Sequence, residues 1–205
     1  MKTKDKILET ALQLFNEKGF SNVGVREIAR ELDISPGNLS YHFSKKEDIF
    51  FELIKRYSMQ NDQHYEDYFS GEKSIEHFLL LMRKVMKSQY RYRGIFLSFS
   101  FITQDIKQED RSNYYNTDKK RKAGARRIFE GLIQEKQLEA SPADVDFLLS
   151  FFTLFGRFSI LKPFLWTKKG WSKDVLRHYL GTLQMSFFAS ETGKASIARF
   201  EEAFL

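Results

Sequence analysis

Ile34-Ser35-Pro36-Gly37-Asn38-Leu39-Ser40-Tyr41-His42-Phe43 is the stretch whose reading decides the fold. Ser35 supplies a side-chain acceptor suited to capping a helix. Pro36 follows at the first helical position, where a missing amide proton costs nothing. The short helix so opened carries Gly37, Asn38, Leu39, Ser40, Tyr41 and His42. Upstream, Val25, Ile28, Ala29 and Leu32 recur at helical spacing, and Asp33-Ile34 marks a tight turn between the two helices. Earlier still, Ile7, Leu8, Ala11, Leu12 and Phe15 form a longer stripe that Gly19 ends, as a glycine past a helix C-terminus does. Downstream, Ser44-Lys45-Lys46-Glu47 has the reciprocal spacing of a capping box and predicts a fourth helix through Ile49, Phe50, Leu53, Ile54 and Tyr57.

Two short helices joined by a tight turn, the second opening with small and polar residues, match the geometry that lays a recognition helix in the DNA major groove. Gly37 lets the backbone approach a duplex and Asn38 can pair with a base edge or a phosphate. Leu39 and Ile34 face inward to hold the helix. Gly19-Phe20, Val25-Arg26-Glu27-Ile28-Ala29, the stretch from Ile34 to Phe43, and Lys46-Glu47-Asp48-Ile49 together resemble the DNA-binding region of the tetracycline-repressor (TetR) family over roughly residues 5 to 55.

The resemblance implies roles residue by residue. Arg26 matches a side chain that makes a bidentate contact with guanine, worth roughly 1 to 3 kcal/mol of discrimination. Ser35, Gly37 and Asn38 match the base-facing start of the recognition helix. Tyr41 and His42 match positions near backbone and bases, and Lys46 matches a phosphate-contacting lysine at a helix N-terminus. Three positions depart from the pattern. Gly24 stands where many members carry a capping Ser or Thr, Asp33 replaces a frequent turn glycine, and Ser40 replaces a phosphate-contacting tyrosine whose contact Tyr41 can take over. Structural alternatives stay open: Arg26 pairing with Glu17, His42 closing its helix end, and Tyr41 packing as core.

Charge alone would not have found this module. The 205-residue chain carries a net +6, yet residues 1–56 hold ten Lys and Arg against nine Asp and Glu. The clearest basic run, Lys119-Lys120-Arg121-Lys122 with Arg126 and Arg127, lies in mid-chain and reads as a solvated helix face rather than a second nucleic-acid patch. Cysteine is absent, which excludes disulfides, thiolate metal sites and cysteine nucleophiles and suits a reducing compartment. His42, His64, His77 and His178 have no metal-ligand spacing, and no zincin, Walker or nucleophile-elbow pattern occurs. Neither an enzyme nor a metal or cofactor site is expected. Residues 1–15 lack the apolar core of a signal peptide, and the apolar stretch Phe147 to Leu161 is interrupted by Arg157 and too short to span a bilayer. A cytoplasmic protein without a membrane partner is the expectation.

The remainder reads as helices: Ser74 to Arg91, with Phe78, Leu81, Met82, Val85 and Met86 inward; Gly94 to Ile102; Asp118 to Gln137; Val145 to Lys162 after the capping run Ser141-Pro142-Ala143-Asp144; and Ser172 to about Glu191. Gly193 to Leu205 reads either as a short terminal helix or as a frayed tail. The fold class is all-α: a three-helix helix-turn-helix domain over residues 1–48 and a larger helical domain over residues 49–205 for dimerisation and effector binding.

The helix from Val145 to Leu161 is apolar nearly all round, so it must be covered on both sides. Phe151 and Phe158, with Tyr179, Leu183 and Phe187 of the following helix, are the expected homodimer interface, a four-helix bundle when doubled. Phe96, Phe99, Phe101, Tyr114, Tyr115, Phe152 and Phe155 are candidates to line a pocket for a small apolar or amphipathic effector, or else fill the core. The expected function is a sequence-specific transcriptional regulator, a repressor by family habit, that binds double-stranded DNA as a homodimer on a palindromic operator. The alternative is a helical interaction module that keeps the motif without specific DNA binding.

Overall fold

The computed structural model describes residues 3–102, 108–158 and 188–204. All the regular structure among them is helical: α1 (Thr3–Lys18), a 3-10 turn (Phe20–Asn22), α2 (Val25–Glu31), α3 (Pro36–His42), α4 (Lys46–Ser70), α5 (Ile75–Arg91), α6 (Arg93–Ile102), α7 (Gln108–Gln134), α8 (Pro142–Phe158) and α9 (Glu191–Phe204). A lone antiparallel bridge joins Leu138 to Ala189. No helix among the described residues is long and apolar enough to cross a membrane.

The chain divides into two compact units, one of Met1–Gln60 with Ser88–Lys107, the other of Asn61–Lys87 with Gln108–Leu205. In the first, Ile7, Leu8, Ala11, Leu12, Leu14 and Phe15 of α1 pack with Ile28 and Ala29 of α2, Leu39 of α3, and Ile49, Phe50 and Leu53 of α4. Phe20 sits edge-on to Phe15 and Phe50, with ring centroids 5.2 and 5.1 Å away. Gly19 leaves α1 at φ 79°, a conformation that glycine adopts without steric cost. Helix α6 lies tight against the end of α1. A Cβ on Gly94 would fall 2.4 Å from the Phe15 carbonyl oxygen. The Asn16 amide completes the junction, donating to the Arg91 carbonyl and accepting the Gly94 N–H, both at 2.8 Å.

The second unit is built on Tyr68, Ile75, Phe78, Leu79 and Leu81, which pack with Ile128, Phe129 and Leu132 of α7, Val145 and Leu148 of α8, and Ile197 and Phe200 of α9. Its loops are tied by side chains. The Gln137 amide oxygen accepts from the Ser196 hydroxyl at 2.9 Å, and the Ser190 hydroxyl donates to the Lys136 carbonyl at 2.7 Å. Asp144 accepts from both the N–H and the hydroxyl of Ser141 at 2.7 Å, so the expected cap of α8 is in place.

Several boundaries differ from the sequence expectation. The capping box of α4 is shifted by one residue: Asp48, not Glu47, reaches back to the Lys45 N–H at 3.2 Å and takes the Ser44 hydroxyl at 2.6 Å. Helix α4 runs on to Ser70, because Asn61, Tyr65 and Tyr68 continue an inward stripe beneath a polar surface. Helix α7 starts at Gln108, ten residues before Asp118, in a segment too polar to show a periodic stripe. Residues 188–190 are not helical, and the helix that follows is α9, so the terminal segment is neither frayed nor an extension of a helix from Ser172. Residues 172–187 lie outside the described residues, as does Pro163.

The mid-chain basic run is not simply solvated. Lys120 and Arg121 pair with Asp62 at 3.3 and 2.7 Å, and Arg126 pairs with Asp146. Arg121 and Arg127 lie over the rings of Tyr65 and Phe69 at 4.6 and 4.4 Å. These cations tie α7 to α4 and α8.

Candidate nucleic-acid interface

Helix α2 ends in a turn made by Asp33, which adopts φ 53°, a left-handed conformation that Asp enters more readily than most residues. The Ile34 N–H then returns to the Ala29 carbonyl at 3.0 Å. Ser35 caps α3 as expected, its Oγ accepting the Asn38 N–H at 3.1 Å with Pro36 at the first position. That bond uses an oxygen lone pair, so the Ser35 hydroxyl proton is still available to an outside acceptor. Leu39 is buried and anchors the helix, and Phe43 closes it, donating its N–H to the Leu39 carbonyl at 2.9 Å.

This arrangement turns Gly37, Asn38, Ser40 and Tyr41 outward, with Arg26 exposed on α2 and His42 half-buried. Tyr41 is 86% exposed, so it is not core; its ring meets only the edge of His42 at 5.2 Å. No acid pairs with Arg26 among the described residues, and Glu17 instead accepts from Gln13 at 3.0 Å. A Cβ on Gly37 would meet nothing nearer than Ser35 Oγ at 3.8 Å. The fold therefore does not need glycine there, whereas close approach of a partner to the backbone would.

Gly24 begins α2 without a side-chain cap. Glu27, in the first turn of α2, pairs with Lys18 at 2.7 Å. That hydrogen bond raises the Lys18 pKa and lowers that of Glu27, so each holds the other charged. Lys46 points inward: its ammonium donates to the carbonyls of Phe20 and Val23 at 3.0 and 3.1 Å. Sequence reasoning missed this, because the partners are backbone groups more than twenty residues away.

Two of the expected pocket residues have described side chains. Phe96 packs in the first unit, 4.7 Å from Tyr57, whereas Phe152 packs in the second, 5.5 Å from both Phe78 and Phe129. Phe99 and Phe101 fall on α6, Tyr114 and Tyr115 on α7, and Phe155 on α8, but their side chains lie outside the described residues. Of the expected interface, Phe151 is half-buried and stacks on Phe147 at 6.3 Å. Phe158 is placed only as part of α8, and Tyr179, Leu183 and Phe187 lie outside the described residues. Phe147 itself, which the sequence marked only as part of an apolar run, is 59% exposed.

Residues 7–53 match the model of the bacterial regulatory proteins, tetR family. The "Probable HTH-type transcriptional regulator YttP" of Bacillus subtilis (strain 168) is 33% identical over 103 residues, 45% of this chain and 46% of that protein. The "HTH-type transcriptional regulator QacR" of Staphylococcus aureus is 32% identical over 93 residues, 45% of this chain and 50% of that protein. These matches span about half the length of the curated relatives. A solved structure of a TetR-family transcriptional regulator from Marinobacter aquaeolei VT8 aligns along the chain with a TM-score of 0.80 and 27% identity, covering 98% of each. The helix-turn-helix geometry, the family match on the residues that form it and the likeness along the whole chain agree: residues 7–53 are a DNA-binding region of the kind found in the tetR family of bacterial regulatory proteins, and the chain is similar along its length to a solved TetR-family regulator.

Proposed function

We propose that this protein is a sequence-specific transcriptional regulator, a repressor acting in the cytoplasm, that binds a palindromic operator as a homodimer. The observation that carries the reading is α3, capped by Ser35, anchored by buried Leu39 and presenting Gly37, Asn38, Ser40 and Tyr41 to solvent beside exposed Arg26. In this reading Arg26 and Asn38 contact base edges. Ser35, Ser40, Tyr41 and His42 contact backbone and neighbouring bases, with Gly37 allowing the approach. One short helix reads few bases, so two copies on half-sites ~34 to 36 Å apart, or a multiple of that, supply the specificity.

Support for the homodimer comes from Phe147, a large aromatic that is 59% exposed on α8 and stacks on half-buried Phe151. A small apolar or amphipathic effector is supported by Tyr68, which is 4% exposed and whose hydroxyl has no hydrogen-bond partner among the described residues. Unsatisfied buried hydroxyls are rare, and a ligand acceptor would remove the cost. In this division of labour residues 1–48 read DNA and residues 49–205 dimerise and bind the effector.

Selection of bound duplexes from a random-sequence pool tests the function. A consensus of two inverted half-sites is expected. Recovery of no consensus, or binding set by salt alone, would contradict it. Thermal-shift screening with flat aromatic and lipid-like compounds tests the effector, and no stabilising compound is the adverse result.

A further inference from the structure

Lys45 and Lys46 stand side by side where α3 gives way to α4, and the family pattern puts the phosphate contact on the second. The structure gives the two side chains opposite surroundings. The Lys46 ammonium is half-buried, donates two hydrogen bonds to the Phe20 and Val23 carbonyls and lies 4.3 Å over the Phe20 ring. Both bonds and the ring contact hold the ammonium at one place, so a swing toward a phosphate would forfeit all three together.

The N-terminus of α4 does not make up the difference. Its anion-binding end is already served by Asp48, which holds the Lys45 N–H and the Ser44 hydroxyl, and Glu47 adds a second carboxylate to the first turn. An incoming phosphate there meets negative charge rather than open amides. Lys45 is exposed, and no acid pairs with its ammonium among the described residues. Its flexible stem leaves that point charge free to follow a phosphate.

We infer that the backbone-phosphate contact at the α3–α4 junction is made by Lys45, and that Lys46 is an internal staple joining α4 to the turn before α2. This rests on the DNA-binding reading above, and the test separates the two. Amine acetylation of the wild-type protein, mapped by mass spectrometry with and without the duplex recovered by selection, is expected to modify Lys45 readily in the free protein and poorly in the complex. Lys46 is expected to react poorly in both. In parallel, Lys45→Gln is expected to keep the wild-type melting temperature while the slope of log affinity against log salt becomes shallower by ~0.9 per subunit engaged. Lys46→Met is expected to lower the melting temperature and leave that slope unchanged. Protection of Lys46 on DNA binding, or a shallower slope for Lys46→Met with none for Lys45→Gln, overturns the inference while leaving DNA binding intact. If the wild-type protein recovers no duplex at all, the DNA-binding reading itself falls.

Discussion

In the first unit the outward face of α3 is polar, whereas in the second two phenylalanines of α8 lie partly open and the Tyr68 hydroxyl is buried without a partner among the described residues. In the proposed function the difference follows from the partner each unit would meet. A duplex offers charged and hydrogen-bonding groups in water, which polar side chains on an exposed helix face can meet. A second protein copy and an apolar ligand, as proposed for the second unit, would offer hydrophobic surface to such groups.

The comparison is tested most severely where each unit depends on a glycine. Gly94→Ala would set a Cβ 2.4 Å from the Phe15 oxygen, and Gly193→Ala would set one 2.2 Å from the Gln137 oxygen. Both clashes are with backbone, so each substitution is expected to cost ~3 kcal/mol or more, read from denaturant midpoints. Tolerance of either would show that close helix approach does not shape that unit. Phe147→Asp comes next. Measured by analytical ultracentrifugation, it is expected to weaken self-association at least ~30-fold, the effect of losing an interface hot spot of about 2 kcal/mol, without lowering the stability of the subunit. Unchanged association would remove α8 from the interface.

Arg26→Ala is expected to lose about 1 to 3 kcal/mol of operator affinity and to relax preference at a single base pair of each half-site. A uniform loss across sequences would make Arg26 a phosphate contact. Tyr68→Phe is expected to raise stability by ~1 kcal/mol by removing the unpaired hydroxyl, while abolishing the thermal shift from any effector that bonds to it. Burial pushes the Tyr68 phenol up to about 12 from 10, so the folded chain holds that proton more tightly than the unfolded one. Its contribution to wild-type stability is therefore constant below pH 10 and declines as pH rises from 10 to about 12, and the variant lacks that part of the decline. The smallest effect is expected at Gly37→Ala. Stability should rise by ~0.5 to 1 kcal/mol, because alanine suits a helix and no atom blocks its Cβ, while operator affinity falls. Parallel changes in stability and affinity would mean that the backbone is not approached there.

The helix-turn-helix module was legible because its signals are local. Ser35 caps α3 through the N–H of Asn38, three residues on, Pro36 fixes its start, and Asp33 tolerates the turn; each acts through neighbours in sequence. What could not be read depends on distant partners. Lys46 looks like a surface cation until the Phe20 and Val23 carbonyls are folded beneath it. Gly193 looks like a breaker, yet it lies inside α9, where the Gln137 carbonyl leaves no room for a side chain. The early start of α7 was hidden because its first ten residues, Gln108 to Thr117, carry few apolar side chains, and periodicity reports only helices that bury a stripe. The Leu138–Ala189 bridge joins positions fifty-one apart in sequence, and no local pattern announces it.

The most direct measurement uses the absence of cysteine in all 205 residues. Ser40→Cys places a unique thiol on the exposed face of α3, where an iron chelate can be attached and made to cut DNA. On the selected operator, two clusters of strand scission centred ~34 to 36 Å apart, or a multiple of that spacing, are expected, one for each α3 in a major groove. Scission no more localised than that from a chelate at Gln13→Cys on α1, or confined to a single cluster, would contradict a recognition helix presented twice.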